Sequence, residues 1–139
     1  KKTIYLHERD AFDDQIRLLK EYLPSIPNAI VHCFTGSTKQ MEAYLELGCY
    51  IGITGWVCDD KRGVDLQEAV KHLPLERVLL ETDAPYLFPK NVKPRAKNNE
   101  PCYLAHVANK VADLKGIDVK KLAEVSVANT YKAFGLVAV

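Results

Sequence analysis

The 139-residue sequence lacks several features that would assign a function at once. It has no apolar run near the roughly 20 residues of a membrane-spanning helix, and no signal-peptide pattern at its N-terminus. Its 19 basic and 18 acidic residues leave a net charge of +1, so no bulk charge draws it toward nucleic acid or a membrane. Its four cysteines show no C-x-x-C spacing, which predicts reduced thiols in or near the core of a cytoplasmic protein.

Gly-rich phosphate-binding motifs are also missing. Neither G-x-G-x-x-G nor G-x-x-x-x-G-K-[ST] occurs, which argues against nucleotide-binding doubly wound folds. What is present is an α/β alternation, in which each of four strands precedes an amphipathic helix and one more helix ends the chain. The predicted strands are 3–7, 29–34, 49–54 and 77–82. This order predicts parallel (βα) repeats with right-handed crossovers.

The number of repeats is half of what a TIM-type (β/α)₈ barrel needs, since such barrels have eight strands and about 250 residues. Other parallel folds with four or five strands fit the pattern as well. The chain begins without Met and enters a strand almost at once, "KKTIYL". We therefore expect it to be a segment of a larger fold, although a natural domain start also fits.

Polar side chains cluster where the predicted strands end. His7 ends the first strand, His32 lies near the end of the second, and Asp83 follows the fourth. The carboxyl ends of parallel strands meet at one face, which carries the chemistry in such folds. Imidazole and carboxylate are ligands for zinc and other divalent metals. We therefore predict that His7, His32 and Asp83 hold a divalent metal.

Each of these residues also has an ordinary structural interpretation. A single strand-end His is commonly a hydrogen-bonded structural residue, and Asp83 could simply cap the turn before Pro85. Glu81 points the same way as Asp83 by strand alternation, yet it could instead pair with a neighbouring Arg. The agreement of three strand ends favours the metal site over these alternatives.

Basic residues lie in the loops at the same predicted face. Arg9 follows the first strand, Arg62 follows the third, and Lys93 and Arg95 follow the fourth. A cationic rim near a metal suits a phosphate-bearing substrate, although a solvated Lys-rich loop explains the same residues. Trp56 could stack on bases or fill the top of the fold.

Several segments together resemble the TatD family of metal-dependent deoxyribonucleases. They are "LHERDA" (6–11), "VHCFTGS" (31–37), "YIGITGWVCDDKRG" (50–63), "ETDAPYL" (81–87), "NNEP" (98–101) and "NTYKAFGL" (129–136). The resemblance covers nearly the whole chain. It implies a TIM-type metallohydrolase barrel that cleaves DNA from the 3′ end, often single strands, with a divalent metal such as Mg²⁺ (Zn²⁺ or Mn²⁺ are also possible).

The resemblance also implies roles for individual residues. His7, His32 and Asp83 match metal-binding positions of the family motifs, and Asp83 matches a residue that can take a proton from the attacking water. Family members also carry an H-x-H pair on the first barrel strand and a bridging Glu in a "GEIGLD"-like stretch, and neither occurs here. Residues 1–139 therefore resemble strands five to eight plus the C-terminal helices, the second half of the barrel.

Three functions are compatible with this pattern. The first is the C-terminal half of a TatD-like nuclease, with full chemistry only in the intact barrel. The second is a catalytically silent half-barrel that binds metal or nucleic acid or serves as a structural subunit, and the third is an amidohydrolase-type enzyme for a small molecule.

A half-barrel also leaves two strand edges and an apolar inner face open, so we expect a homodimer through those edges.

Overall fold

The computed structural model describes residues 1–137 and contains four strands and five α-helices within that range. Strands and helices alternate as the sequence predicts, and short 3₁₀ turns join some of them. In chain order the elements are β1 (Ile4–His7), α1 (Phe12–Tyr22), β2 (Ala29–His32), α2 (Thr38–Glu46), β3 (Tyr50–Ile53), α3 (Val64–His72), β4 (Val78–Leu80), α4 (Leu104–Lys115) and α5 (Val119–Phe134).

All four strands belong to one parallel sheet with the order β1-β2-β3-β4. The strands pair with their sequence neighbours, which is the topology of half a TIM-type barrel. The register places His7 directly beside His32 and Gly52 beside Leu79. The carboxyl ends of the four strands therefore lie side by side at one edge of the sheet.

Helix ends follow the local sequence signals. Ser37 and Gln40 form a reciprocal capping box at the start of α2, and Asp118 caps α5 by accepting from the backbone N–H groups of Lys120 and Lys121. Gly116 ends α4 in the left-handed conformation, at φ 63°.

The main core lies between α1–α4 and the outward face of the sheet. Val31, Ile51, Ile53 and Val78 alternate with inward-pointing residues and are 0–1% exposed. They pack against apolar helix residues that include Leu19, Met41, Tyr44, Leu66, Val70 and Val111. The residues between them and directly after them, among them His32 and Glu81, are thereby directed to the other face of the sheet.

Helix α5 corrects the expectation of two open edges and an open apolar inner face. Ser126 Oγ accepts from the N–H of Leu80, and Asn129 Nδ2 donates to the carbonyl of Val78, so α5 covers the outer edge of β4. The inward-pointing Ile30, Tyr50 and Leu79 are at most 7% exposed and form a second cluster with Ala133 of α5. Neither edge strand has a second strand partner within residues 1–137, and α5 is bonded to the edge of β4.

Two further expectations differ in detail. β2 ends at His32 rather than at residue 34, because Cys33 takes a positive φ of 49° and turns the chain. The four cysteines are unpaired, as predicted, but Cys102 is exposed rather than near the core. Within residues 1–137, no helix is both long and apolar enough to span a bilayer.

Candidate functional site

The carboxylate of Glu81 lies at the centre of a polar cluster on the inner face of the sheet. Its Oε1 accepts a 2.6 Å hydrogen bond from the Tyr5 hydroxyl, and its Oε2 lies 2.9 Å from His32 Nδ1 and 3.1 Å from the N–H of Cys33. These partners come from β1 and β2, whereas Glu81 follows β4. Glu81 therefore pairs with His32, and not with a neighbouring Arg, which was the alternative left open by the sequence.

Gly52 makes this reach across the sheet possible. It lies on β3, between the strand that carries His32 and the one that leads to Glu81. A Cβ at this position would occupy the space of the Glu81 carboxyl group. A residue without a side chain is thus required here by the close approach of Glu81, although the backbone of Gly52 is ordinary strand.

The contact with Glu81 fixes the proton on His32. Because a carboxylate can only accept, a neutral His32 carries its hydrogen on Nδ1 and its lone pair on Nε2. This Nε2 lies 3.4 Å from Asp83 Oδ1. A lone pair and a carboxylate oxygen at that distance repel each other unless a cation, either a proton or a metal ion, lies with them.

The donor set fits a divalent metal. Metal-binding histidines commonly donate their other ring N–H to a carboxylate, as His32 does to Glu81. Two ligands of one ion, each bonded at about 2.0–2.2 Å, lie about 3 to 3.5 Å apart, and the separation of His32 Nε2 and Asp83 Oδ1 falls in that range. The side chains of His32 and Asp83 are 15% and 38% exposed, which leaves the pair open to an ion.

His7 lies beside this pair without completing it. Its ring centroid is 6.2 Å from that of His32. Among residues 1–137, no group of three or more His, Cys, Asp or Glu side chains is arranged to hold a metal. The structure thus brings two of the three predicted ligands together and places the third at the neighbouring strand end.

Tyr5 is a member of the cluster that sequence reasoning missed. Its hydroxyl donates to Glu81 and lies 3.0 Å from His32 Nδ1. Burial, followed by the hydrogen bond to Glu81, raises the pKa of Tyr5 far above its usual value, so the hydroxyl stays protonated. The available signal was its spacing, because Tyr5 precedes His7 by two residues on the same strand and so shares its face.

A pocket of about 140 Å³ lies beside this cluster. We call it the Trp56 pocket; it is lined by Gly55, Trp56, Asp59, Arg62, Leu87, Phe88, Lys90 and Arg95. Asp59 Oδ2 accepts from Arg62 Nε at 2.8 Å and lies 2.6 Å from Lys90 Nζ. Hydrogen bonds from Lys90 and then Arg62 hold the pKa of Asp59 well below its usual range.

The predicted substrate-binding residues are divided among three places. Arg62 and Arg95 both line the Trp56 pocket. Arg9 lines a separate cavity of about 980 Å³ between the starts of α1 and α2. Lys93 is exposed in the loop after β4 and lines neither cavity. Sequence reasoning also missed the role of Asp59, which no local signal separates from its neighbour Asp60.

Sequence comparisons relate this chain to a known family. A family model described as TatD-related DNase matches residues 1–135. Two proteins called 3′-5′ ssDNA/RNA exonuclease TatD, from Erwinia billingiae and Salmonella typhimurium, are 48% and 47% identical to this chain over 137 and 136 residues. The matches cover 97% and 96% of this chain but only 52% of each relative. The chain therefore spans about half the length of these relatives.

Solved structures agree with the sequence comparisons. The crystal structure of YJJV, a TatD homologue from Escherichia coli K12, superposes with a TM-score of 0.85 at 30% identity, covering 97% of this chain and 51% of that one. A TatD-family hydrolase from Entamoeba histolytica, at 24% identity and a TM-score of 0.84, supports the fold alone. Family model, relatives and fold converge, and this chain belongs to the TatD-related DNase family.

Proposed function

We propose that this chain is the C-terminal half of a metal-dependent hydrolase that removes nucleotides from the 3′ end of single-stranded nucleic acid. The observation that carries the proposal is His32 Nε2, oriented by Glu81 and facing Asp83 Oδ1 at 3.4 Å. The relatives called 3′-5′ ssDNA/RNA exonuclease support the reaction class. Single-stranded DNA is the substrate tested first.

The proposed roles follow from the contacts in the cluster. His32 and Asp83 would hold a divalent ion together with His7, which lies at the adjacent strand end. The family resemblance implies Mg²⁺ as the physiological ion, with Zn²⁺ or Mn²⁺ as alternatives. When bound, this ion supplies Lewis acidity toward the phosphodiester and activates the attacking water. Asp83 accepts the proton released by that water, and Glu81 and Tyr5 keep His32 in place.

The missing ligands are proposed to come from the first half of the barrel. Residues 1–139 then supply strands five to eight, and the open edge of β1 is where the preceding strand would pair. A homodimer through this edge is the competing arrangement. The four unpaired cysteines support a reducing compartment such as the cytoplasm.

A silent half-barrel is the second candidate. The observation in its favour is that no three potential ligands among residues 1–137 are arranged to hold a metal. It predicts that supplying a first half would add no activity.

The test compares the 139-residue chain with a completed barrel, in which the first half of the Erwinia billingiae relative is joined to its N-terminus. The assay is release of nucleotides from a 3′-labelled single-stranded oligonucleotide. We expect Mg²⁺-dependent release by the completed barrel and little or none by the chain alone. Asp83→Asn should lower the rate by about 10²–10³-fold, because Asn cannot supply the charge or accept the proton.

The matched control is Asp113→Asn, at an exposed position of α4, which should leave the rate unchanged. An inactive completed barrel that is folded would favour the silent half-barrel. Equal activity of the chain alone would show that the first half is dispensable. Full activity of the Asp83→Asn variant would remove Asp83 from the mechanism.

A further inference from the structure

We propose that the Trp56 pocket is a nucleotide subsite, in which cationic side chains bind a backbone phosphate and the Arg62–Trp56 stack receives the adjoining base. We further infer that Asp59 is the positioning residue of this subsite. The inference rests on the proposed function in its choice of nucleic acid as ligand. The residues that carry it are outside the His32–Asp83 cluster.

The charge balance of the pocket favours an anion. Asp59 is 3% exposed and is the one carboxylate in the pocket lining. It contacts two cations, Arg62 and Lys90, and Arg95 is a third cation in the lining. Its Oδ1 also accepts from the backbone N–H groups of Lys61 and Arg62, at 3.1 and 3.2 Å. The carboxylate is therefore fully used by its neighbours, while positive charge in the pocket remains in excess.

Arg62 is held in a geometry that suits a phosphate. Its Nε donates to Asp59, and its guanidinium lies 4.6 Å from the centroid of the Trp56 ring. Within residues 1–137 its terminal amino groups make no hydrogen bond to a side chain or a backbone carbonyl. These N–H groups can bind phosphate oxygens in a bidentate manner, and the outer face of the guanidinium plane can stack on a base.

The opposite wall of the pocket is fixed by close packing. A Cβ on Gly55 would overlap the carbonyl oxygen of Leu87, so the loop after β4 lies directly on this glycine. Asn99 is 5% exposed and donates to the carbonyl of Tyr86, and its own N–H donates to that of Pro85. The segment that carries Lys90 is therefore held in place before any ligand binds.

The pocket also lies next to the metal-ligand cluster. Gly55 lines the pocket and, together with Glu81 and Thr82, a narrow crevice behind it. A strand whose scissile phosphate lies at His32 and Asp83 would thus have a neighbouring nucleotide within reach of Arg62. The subsite would hold the strand near the reacting phosphate without taking part in the chemistry.

The experiment uses the fact that Trp56 is the one tryptophan of the sequence. The 139-residue chain is titrated with an eight-nucleotide oligo-dT in EDTA at low salt, and Trp56 fluorescence is recorded. We expect saturable quenching, because a base that stacks on the outer face of Arg62 changes the surroundings of the indole that Arg62 covers. An oligonucleotide of abasic sites should compete for binding while quenching less, and inorganic phosphate should compete only weakly.

Substitutions inside and outside the pocket distinguish a specific subsite from general electrostatic attraction. Arg62→Gln should weaken binding about tenfold, since a charge-assisted contact is lost. Lys97→Gln makes the same charge change in the loop after β4, outside the pocket lining, and should change affinity by less than about twofold. Asp59→Asn removes one negative charge yet should weaken binding, because Arg62 and Lys90 lose the carboxylate that orients them.

Several results would overturn the inference. They are absence of quenching at millimolar oligonucleotide, equal losses for Arg62→Gln and Lys97→Gln, and tighter binding by Asp59→Asn. If Asp59→Asn fails to fold by circular dichroism, Lys90→Gln is used in its place and should weaken binding severalfold. The binding titration contains EDTA and therefore does not depend on a metal. Quenching without nuclease activity in the completed barrel would refute the proposed function alone. Nuclease activity without quenching would refute the subsite alone.

Discussion

Glu81 and Asp59 are both nearly buried carboxylates at the same edge of the sheet, but their partners have opposite character. Glu81 contacts a tyrosine hydroxyl, an imidazole and a backbone N–H, and the nearby Asp83 adds a second negative charge. Asp59 contacts an arginine and a lysine. Neither Glu81 nor Asp83 has a Lys or Arg side chain within ion-pair distance among the described residues.

This difference shows how one edge of a sheet can attract ions of both signs. The Glu81 cluster has more negative charge than its neighbours balance, so it favours a cation. The Trp56 pocket has more positive charge than Asp59 balances, so it favours an anion. Under the proposed function, the first environment would hold the metal ion and the second a phosphate of the bound strand.

Of the substitutions that test this difference between the two sites, Glu81→Gln in the completed barrel is expected to have the largest effect. Glutamine keeps the shape but removes the charge that holds the hydrogen on His32 Nδ1, so Nε2 is no longer kept as a free donor to the metal. Loss of such a supporting carboxylate commonly costs 10–100-fold in metal affinity, and we expect about that loss for Mn²⁺ by isothermal titration calorimetry.

The control for this change is Glu68→Gln, which removes an exposed carboxylate of α3 that contacts Lys71 and His72. It should leave Mn²⁺ affinity unchanged. Oligonucleotide binding in EDTA should be unaffected by either variant, because the Trp56 pocket does not include Glu81. Unchanged metal affinity in Glu81→Gln would show that Glu81 does not orient a ligand.

A smaller effect is expected from Gly52→Ala, which tests the same cluster through packing. The added methyl group would take the space of the Glu81 carboxyl, which must then move away from His32. We expect a loss of about 1–3 kcal/mol in the free energy of unfolding, measured by urea denaturation, as for other overpacked sites. In the completed barrel, Mn²⁺ affinity should fall together with stability.

Gly48→Ala provides a comparison, since a Cβ at Gly48 meets nothing within 4 Å. Gly48 has a φ of 78°, so this variant should lose stability through backbone strain while keeping metal affinity. Equal metal affinity in Gly52→Ala and Gly48→Ala would show that the approach of Glu81 across β3 is unimportant.

The smallest effect concerns the pH dependence of the Trp56 pocket. Lys90 and Arg62 lower the pKa of Asp59 below its usual value of 3.8, so the unfolded chain takes up this proton at a higher pH than the folded chain does. The contribution of Asp59 to stability is therefore present above about pH 4 and is lost as the pH falls through the lower, folded pKa. The stability difference between wild type and Asp59→Asn should shrink below about pH 4 in urea titrations followed by Trp56 fluorescence. A difference that stays constant from about pH 5 to about pH 3 would contradict the lowered pKa.

Much of the fold could be predicted from the sequence because its signals are local. The apolar stripe of Phe12, Ile16 and Leu19 predicts α1, the Ser37–Gln40 capping box marks the start of α2, and Gly116 marks the end of α4. The covering of β4 by α5 could not be predicted in this way. It depends on Ser126 and Asn129 reaching backbone groups about 50 positions earlier in the chain.

The sequence by itself determined that His7, His32 and Asp83 belong to one edge of the sheet, because strand ends and alternation follow from local pattern. Only the tertiary structure decided how these residues are used. It brought His32 to Asp83, placed Glu81 and Tyr5 behind His32, and gathered Arg62 and Lys90 on Asp59. These contacts join distant strands and loops, and their distances depend on how the whole sheet packs, which no short stretch of sequence specifies.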